Sequence, residues 1–251
     1  MRHTPSNAGP PVLGLIFPPG NRGVPEEGLA MYGDTLRYVV TGLGIERITP
    51  ADFDAALQRI PAAAQRLAAA GAEAIELTGT SLTFYKGEAF NQELCDRITA
   101  ACGLRATTMS NGVIDALNTV GAKRVAVATA YNEEVNSRLS VFLLEHGFEP
   151  LVITGLGIET MTDVDKVTQD YLIAFSERIY RLAPEADSLL VSCGGFRTLE
   201  IIAPLEARIG VPVISSMPHG LWAGAKLVGL SGAATGYGRL LSSGSSVPTH
   251  C

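Results

Sequence analysis

Short apolar runs alternate along the chain with longer stretches of helical periodicity. Val12–Phe17 and the run from Val125 to Thr129 are nearly all apolar and of strand length. Runs of the same kind lie inside 71–81 and 186–195. Continuous rather than alternating apolar character suits strands buried on both faces of a parallel sheet. Between these runs, residues 51–70, 87–101, 132–146, 163–182 and 198–209 space their apolar positions for a helix, with Pro61 marking a kink or a restart. Pro218 is placed as a first-turn helix proline. Strands alternating with helices predict βαβ crossovers and parallel sheets covered on both faces, an α/β fold.

The pattern is written twice. Thr-Gly-Leu-Gly-Ile-Glu occurs at Thr41–Glu46 and again, 113 residues on, at Thr154–Glu159. Other features recur near the same offset. Val12–Phe17 runs into Pro18-Pro19, and Val125–Thr129 runs into Ala130-Tyr131. The stretch ending Thr78-Gly79-Thr80-Ser81 has its counterpart in Ser192-Cys193-Gly194-Gly195. Thr107-Thr108-Met109-Ser110-Asn111-Gly112 is echoed by Ser215-Ser216-Met217-Pro218-His219-Gly220. Glycines ending strands can imitate a repeat, but the shared order of so many features favours duplication. The expected organisation is a first half over 1–120, completed by the C-terminal segment 221–251, and a second half over 121–220.

Composition narrows the function. A chain of 251 residues that is 47% hydrophobic and 18% charged can bury a sizeable core. Its net charge of −6, with no basic run, argues against nucleic acid or an anionic membrane as partner and is compatible with a soluble monomer. No apolar stretch reaches the ~20 residues of a spanning helix, and residues 1–7 lack the apolar centre of a signal peptide. The four cysteines, Cys95, Cys102, Cys193 and Cys251, form neither a CxxC pair nor a Cys/His zinc spacing. A cytoplasmic protein with reduced thiols and no metal is expected.

In parallel sheets, ligands bind beyond the C-terminal strand ends. Those ends carry Pro18-Pro19, Gly79-Thr80-Ser81, Thr108-Met109-Ser110, Thr129-Ala130-Tyr131, Ser192-Cys193-Gly194-Gly195 and Ser215-Ser216. The set is rich in hydroxyls, holds one thiol and almost no charge. Strand-to-helix turns of small residues expose backbone N–H groups, so a small carboxylate is the natural ligand. Cys193 is the strong nucleophile or proton donor of the set. Taken alone it would read as a buried structural cysteine; the Ser-Cys-Gly-Gly context at a strand end favours a functional thiol, and a helix following it would pull the thiol pKa down. His219 lies near a strand end and fits a ligand contact or a plain helix-start role. There is no GxxxxGK[ST] phosphate loop, and the Gly-Leu-Gly stretches lack the third glycine of a dinucleotide turn.

The stretch Gly79–Tyr85, Ala128-Thr129-Ala130-Tyr131 with Val135-Asn136, and Ser192-Cys193-Gly194-Gly195 together resemble the aspartate/glutamate racemase superfamily, and within it the arylmalonate decarboxylases. The resemblance runs from Gly14 to Leu240. It implies two Rossmann-like parallel-sheet halves related by pseudo-two-fold symmetry, in agreement with the repeat. Two-base racemases of the superfamily carry a cysteine at the matched strand end of each half. Here Cys193 is present and its mate is Gly79, which points toward a reaction needing a proton donor on one face only. The resemblance implies cofactor-free decarboxylation of 2-aryl or alkenyl malonates to one enantiomer of the monoacid, through an enediolate protonated by Cys193. Thr80, Ser81, Tyr131 and backbone amides at Cys193 and Gly194 would hold the retained carboxylate. Pro18, Pro19, Ile45, Ile48, Ile158 and Met161 would surround the departing carboxylate with apolar surface. No metal, biotin, pyridoxal phosphate or thiamine is implied, and the partner is a small dicarboxylate. Asn21-Arg22 and Phe196-Arg197 depart from the family pattern, and Arg197 adds a charge that bears on specificity. Two other readings stand beside this one: a racemase or cis-trans isomerase of a small acid in the same superfamily, and a carboxylate-binding protein without chemistry.

Overall fold

Two parallel four-stranded sheets, each flanked by helices, make up the computed structural model, which describes residues 9–20, 23–45, 52, 54 and 57–243. The strands are β1 (Val12–Phe17), β2 (Arg37–Gly42), β3 (Ala74–Leu77), β4 (Arg105–Thr108), β5 (Arg124–Thr129), β6 (Glu149–Gly155), β7 (Ser188–Ser192) and β8 (Val213–Ser215). One sheet runs β2-β1-β3-β4 and the other β6-β5-β7-β8, so the second half repeats the first strand for strand. A register shift between Val125 and Ala126 gives β6 one residue more than β2. That extra residue is why Phe17 and Thr129 match at one offset and the Gly-Leu-Gly loops at another a residue longer.

Between the strands lie α1 (Glu26–Tyr32), α2 (Ile60–Ala69), α3 (Thr80–Phe84), α4 (Glu88–Cys102), α5 (Met109–Thr119), α6 (Glu133–Glu145), α7 (Met161–Val164), α8 (Gln169–Leu182), α9 (Leu199–Ile209), α10 (Ser216–Leu227) and α11 (Arg239–Ser243). Pro61 stands in the first turn of α2, where its missing N–H has no intrahelical partner to lose. The single helix expected over 163–182 is two. The chain breaks after Val164 and restarts where the Thr168 hydroxyl accepts from Tyr171 N, a cap that favours a new helix start. Asn132 and Thr108 cap α6 and α5 in the same way.

The inner strands are buried apart from Arg124 at the start of β5, which explains their unbroken apolar runs. The halves meet along α5 and α10, which hold the same place in the repeat and pack against each other. A Cβ on Gly112 would come within 2.7 Å of His219 O and 2.8 Å of Gly220 Cα, so these helices touch backbone to backbone. α10 also lies on β3 and β4 of the first sheet.

Candidate active site

The two copies of Thr-Gly-Leu-Gly-Ile build the same turn. Leu43 N donates to Phe17 O (2.8 Å), Gly44 N to Pro19 O (3.3 Å) and Ile45 N to Pro18 O (2.7 Å). In the second half Leu156 N donates to Thr129 O (3.1 Å), Gly157 N to Tyr131 O (3.1 Å) and Ile158 N to Ala130 O (2.7 Å). The repeated loop is therefore a clip that holds the segment beyond β1, or beyond β5, over the strand ends. By this pairing Pro19 and Tyr131 are structural counterparts.

Between the strand ends lies a cavity of about 160 Å³. Pro18, Pro19, Ile45, Gly79, Thr80, Ser81, Tyr131, Met161, Cys193 and Gly194 all line it, joined by Phe17, Gly23, Pro25, Thr78, Gly195 and Met217. Of these last six, Gly195 was read as a strand-end residue that a ligand approaches, and the other five went unread in the sequence as wall residues. Met217 had a visible signal, since it matches Met109 in the repeat. Ile158 is half-buried and outside the lining set, and Ile48 lies outside the described residues.

The polar groups here are fixed partly within each half and partly by contacts that cross between the halves. Gly79 takes φ +91°, a left-handed conformation that glycine reaches without strain, and so turns β3 directly into α3. The Thr80 carbonyl accepts from Thr83 Oγ1 (3.0 Å) and Ser110 Oγ (3.2 Å). Thr80 Oγ1 donates to Ser216 Oγ across 2.8 Å. Tyr131 is pinned by its neighbours: its N–H donates to Thr129 Oγ1 (3.1 Å), which itself donates to Asn136 Oδ1 (2.7 Å). The Tyr131 ring packs edge-on against Phe84 at 5.8 Å. Its hydroxyl lies 3.4 Å from Ser192 Oγ and within hydrogen-bonding reach of the Thr80 and Ser81 side chains. Burial, with the neighbouring Cys193 adding to it, pushes the Tyr131 phenol well above its ordinary range, so it stays a neutral donor.

Cys193 is 4% exposed at the end of β7. The helix expected over 198–209 follows as α9 from Leu199, and a turn over 194–196 separates it from Cys193, so the thiol does not stand in its first turn. The glycines beside it are tightly enclosed. A Cβ on Gly194 would lie 2.9 Å from Met109 Sδ and 3.7 Å from Gly79 Cα, and one on Gly195 would lie 2.9 Å from Met161 Cε. Arg197 faces outward, its side chain 66% exposed and ion-paired with Glu26 of α1. His219 is absent from the cavity. Its Nδ1 bonds to the Ser215 backbone, and burial holds its pKa down to about 4. Among the described residues no cluster of His, Cys, Asp or Glu is grouped to hold a metal ion, and no helix is long and apolar enough to cross a membrane.

The site thus combines a thiol, a hydroxyl cluster without a countercharge among the described residues, and an apolar wall. Comparison with known proteins meets the same features. The family profile for arylmalonate decarboxylase matches residues 13–241. The chain belongs to the arylmalonate decarboxylase family. It is 43% identical to the arylmalonate decarboxylase of Bordetella bronchiseptica over 237 residues, covering 93% of this chain and 97% of that protein. Among solved structures, a liganded arylmalonate decarboxylase variant, in which a glycine is exchanged for cysteine and a cysteine for serine, superposes with a TM-score of 0.90 at 40% identity, covering 92% of this chain and 99% of that one. The maleate isomerase Iso from Pseudomonas putida S16 shares the fold, with a TM-score of 0.84 at 20% identity over 94% of this chain and 99% of the other. Membership of the arylmalonate decarboxylase family makes this chain a decarboxylase.

Proposed function

We propose that the protein decarboxylates 2-aryl or 2-alkenyl malonates without a cofactor and delivers one enantiomer of the monoacid. The observation that carries this reading is the asymmetry of the cavity wall: Cys193 stands at the end of β7, and Gly79 stands at the matching end of β3.

The retained carboxylate is held by Thr80, Ser81, Tyr131 and the amides near Cys193 and Gly194. These are fixed dipoles, so they strengthen their hold as charge moves onto the carboxylate oxygens. The second carboxylate faces Pro18, Pro19, Ile45 and Met161, which offer it no hydrogen bond. Its C–C bond breaks, CO2 leaves, and the bonding pair becomes an enediolate on the retained carboxylate, delocalised into the aryl or alkenyl group. Cys193, standing as a thiol, gives its proton to the α-carbon, and the resulting thiolate takes a proton back from water. A donor on one face sets one configuration. The arylmalonate decarboxylase that is 43% identical over most of the chain supports the substrate class.

The test is CO2 release from phenylmalonate with and without a thiol-alkylating reagent. Release that stops on alkylation is the expected result. Deuterium wash-in at the α-carbon of a monoacid, without CO2 release from the malonate, would replace this reading with a racemase. Binding without any change in the ligand would leave a carboxylate-binding protein.

A further inference from the structure

The Thr80 hydroxyl has one proton, and in the structure that proton points away from a carboxylate. It is donated to Ser216 Oγ at 2.8 Å, and Met109 Sδ lies 3.6 Å from the same oxygen. Both residues are closed to solvent, Thr80 at 2% and Ser216 at 0% exposure. A carboxylate arriving in the cavity draws the Thr80 proton toward itself. Thr80 Oγ1 then becomes an acceptor in a dry setting and needs a donor. A thioether sulfur has no proton to give, and the Tyr131 hydroxyl, the other donor in reach, is directed to the same carboxylate. The Ser216 hydroxyl can turn and supply one.

We propose that Ser216 is a positioning residue of the decarboxylase, acting through Thr80. The bond between the two reverses when substrate binds, so that Ser216 donates to Thr80 and Thr80 donates to the retained carboxylate. Hydrogen bonds in such a chain polarise one another, and the outer bond strengthens as negative charge grows on its acceptor. Ser216 therefore acts more on the enediolate-like transition state than on the bound malonate. In the empty site it also competes for the Thr80 proton, which weakens ground-state binding. Its removal lowers kcat and leaves KM unchanged or lower.

The repeat gives an independent reason to single out this pair. Thr80 belongs to the first half and Ser216 to the second, so the bond crosses the pseudo-two-fold relation. By strand register and helix start, the mirrored contact joins Gly194 to Met109, and neither residue has a hydroxyl. Only one of the two crossed hydroxyl contacts is built, and it lies at the carboxylate-binding residues.

The inference rests on the decarboxylase reading, and a double-mutant cycle separates the two. In the full-length protein, Ser216→Ala should lower kcat on phenylmalonate about fivefold to tenfold, the scale of one neutral hydrogen bond, with KM unchanged or lower. Ser216→Thr should restore most of it. In a Thr80→Val background, Ser216→Ala should cost nothing further, whereas a merely structural serine would lose the same factor in both backgrounds. Equal losses in both backgrounds, or a kcat that does not fall, would overturn the relay. A wild-type protein without turnover would instead remove the decarboxylase reading. The cycle is then read from phenylmalonate affinity by calorimetry, where an effect of Ser216→Ala confined to the Thr80 background supports the relay and an effect independent of Thr80 refutes it.

Discussion

Pro18 occupies the space that a side chain at Gly79 would need. A Cβ built on Gly79 overlaps Pro18 Cγ, and its φ of +91° is one that L-residues rarely adopt. The side-chain space at the end of β3 is thus filled by the residue beyond β1, and among the described residues the cavity is lined by one thiol, that of Cys193.

Gly79→Cys should therefore be costly and informative. The positive φ and the displaced proline are expected to cost ~1–3 kcal/mol, or a fall of several degrees in Tm, and a companion Pro18→Ala should recover part of the loss. If the new thiol reaches the α-carbon, 2-phenylpropionate should take up deuterium from solvent. A folded double variant without exchange would show that positions 79 and 193 do not face one carbon from opposite sides.

Cys193→Ala should reduce CO2 release from phenylmalonate by about 10²–10⁴-fold, the usual worth of a positioned acid, with little change in Tm. Turnover surviving in the variant would remove Cys193 from the mechanism.

Asn136→Ala tests the support of Tyr131. Asn136 holds Thr129 Oγ1, which in turn holds the Tyr131 N–H. Without it the tyrosine should lose its fixed pose, with kcat falling about tenfold while the protein stays folded. Unchanged kinetics would mean that the clip from Gly157 N to Tyr131 O suffices alone.

Glu76 makes the stability pH-dependent. It is fully buried in β3, and neither carboxylate oxygen has a hydrogen-bond partner among the described residues. Burial raises its pKa from 4.5 to about 8. The native state then holds a proton that the unfolded chain releases, so stability falls as pH rises from about 4.5 toward 8 and levels off above. Glu76→Gln should flatten this dependence and raise Tm at pH 8 relative to the parent, a gain that shrinks near pH 5. Parallel Tm profiles for the two proteins would show that Glu76 does not titrate in that window.

The inner strands, the repeat and the list of strand-end residues were legible because burial on both faces and close backbone turns leave direct marks on sequence. Val12–Phe17 is β1 residue for residue, and nearly every proposed wall residue that the structure describes lines the cavity. The edge strands β2 and β6 left no such mark, because they are only half-buried and mix Arg37, Thr41, Glu149 and Pro150 with their apolar residues. The break between α7 and α8 was hidden because Thr168 sits inside an otherwise helical spacing. Glu76 gave no warning either: its counterpart by strand register is Leu190, and an acid within so apolar a run is visible only as an exception. Ser216 was visible as a strand-end hydroxyl, but its bond to Thr80 joins residues 136 apart, which no local pattern encodes.

The contact of Gly112 with Gly220 has a consequence for how this protein can change. At this contact bare backbone meets bare backbone, so the approach of α5 to α10 at Gly112 is not set by a side chain that could grow or shrink. Replacing Ile45 or Met161 alters the lining of the cavity and leaves this contact untouched. New substrates are therefore expected to be reached by exchanging wall residues such as Ile45 and Met161, and not by drawing α5 and α10 apart.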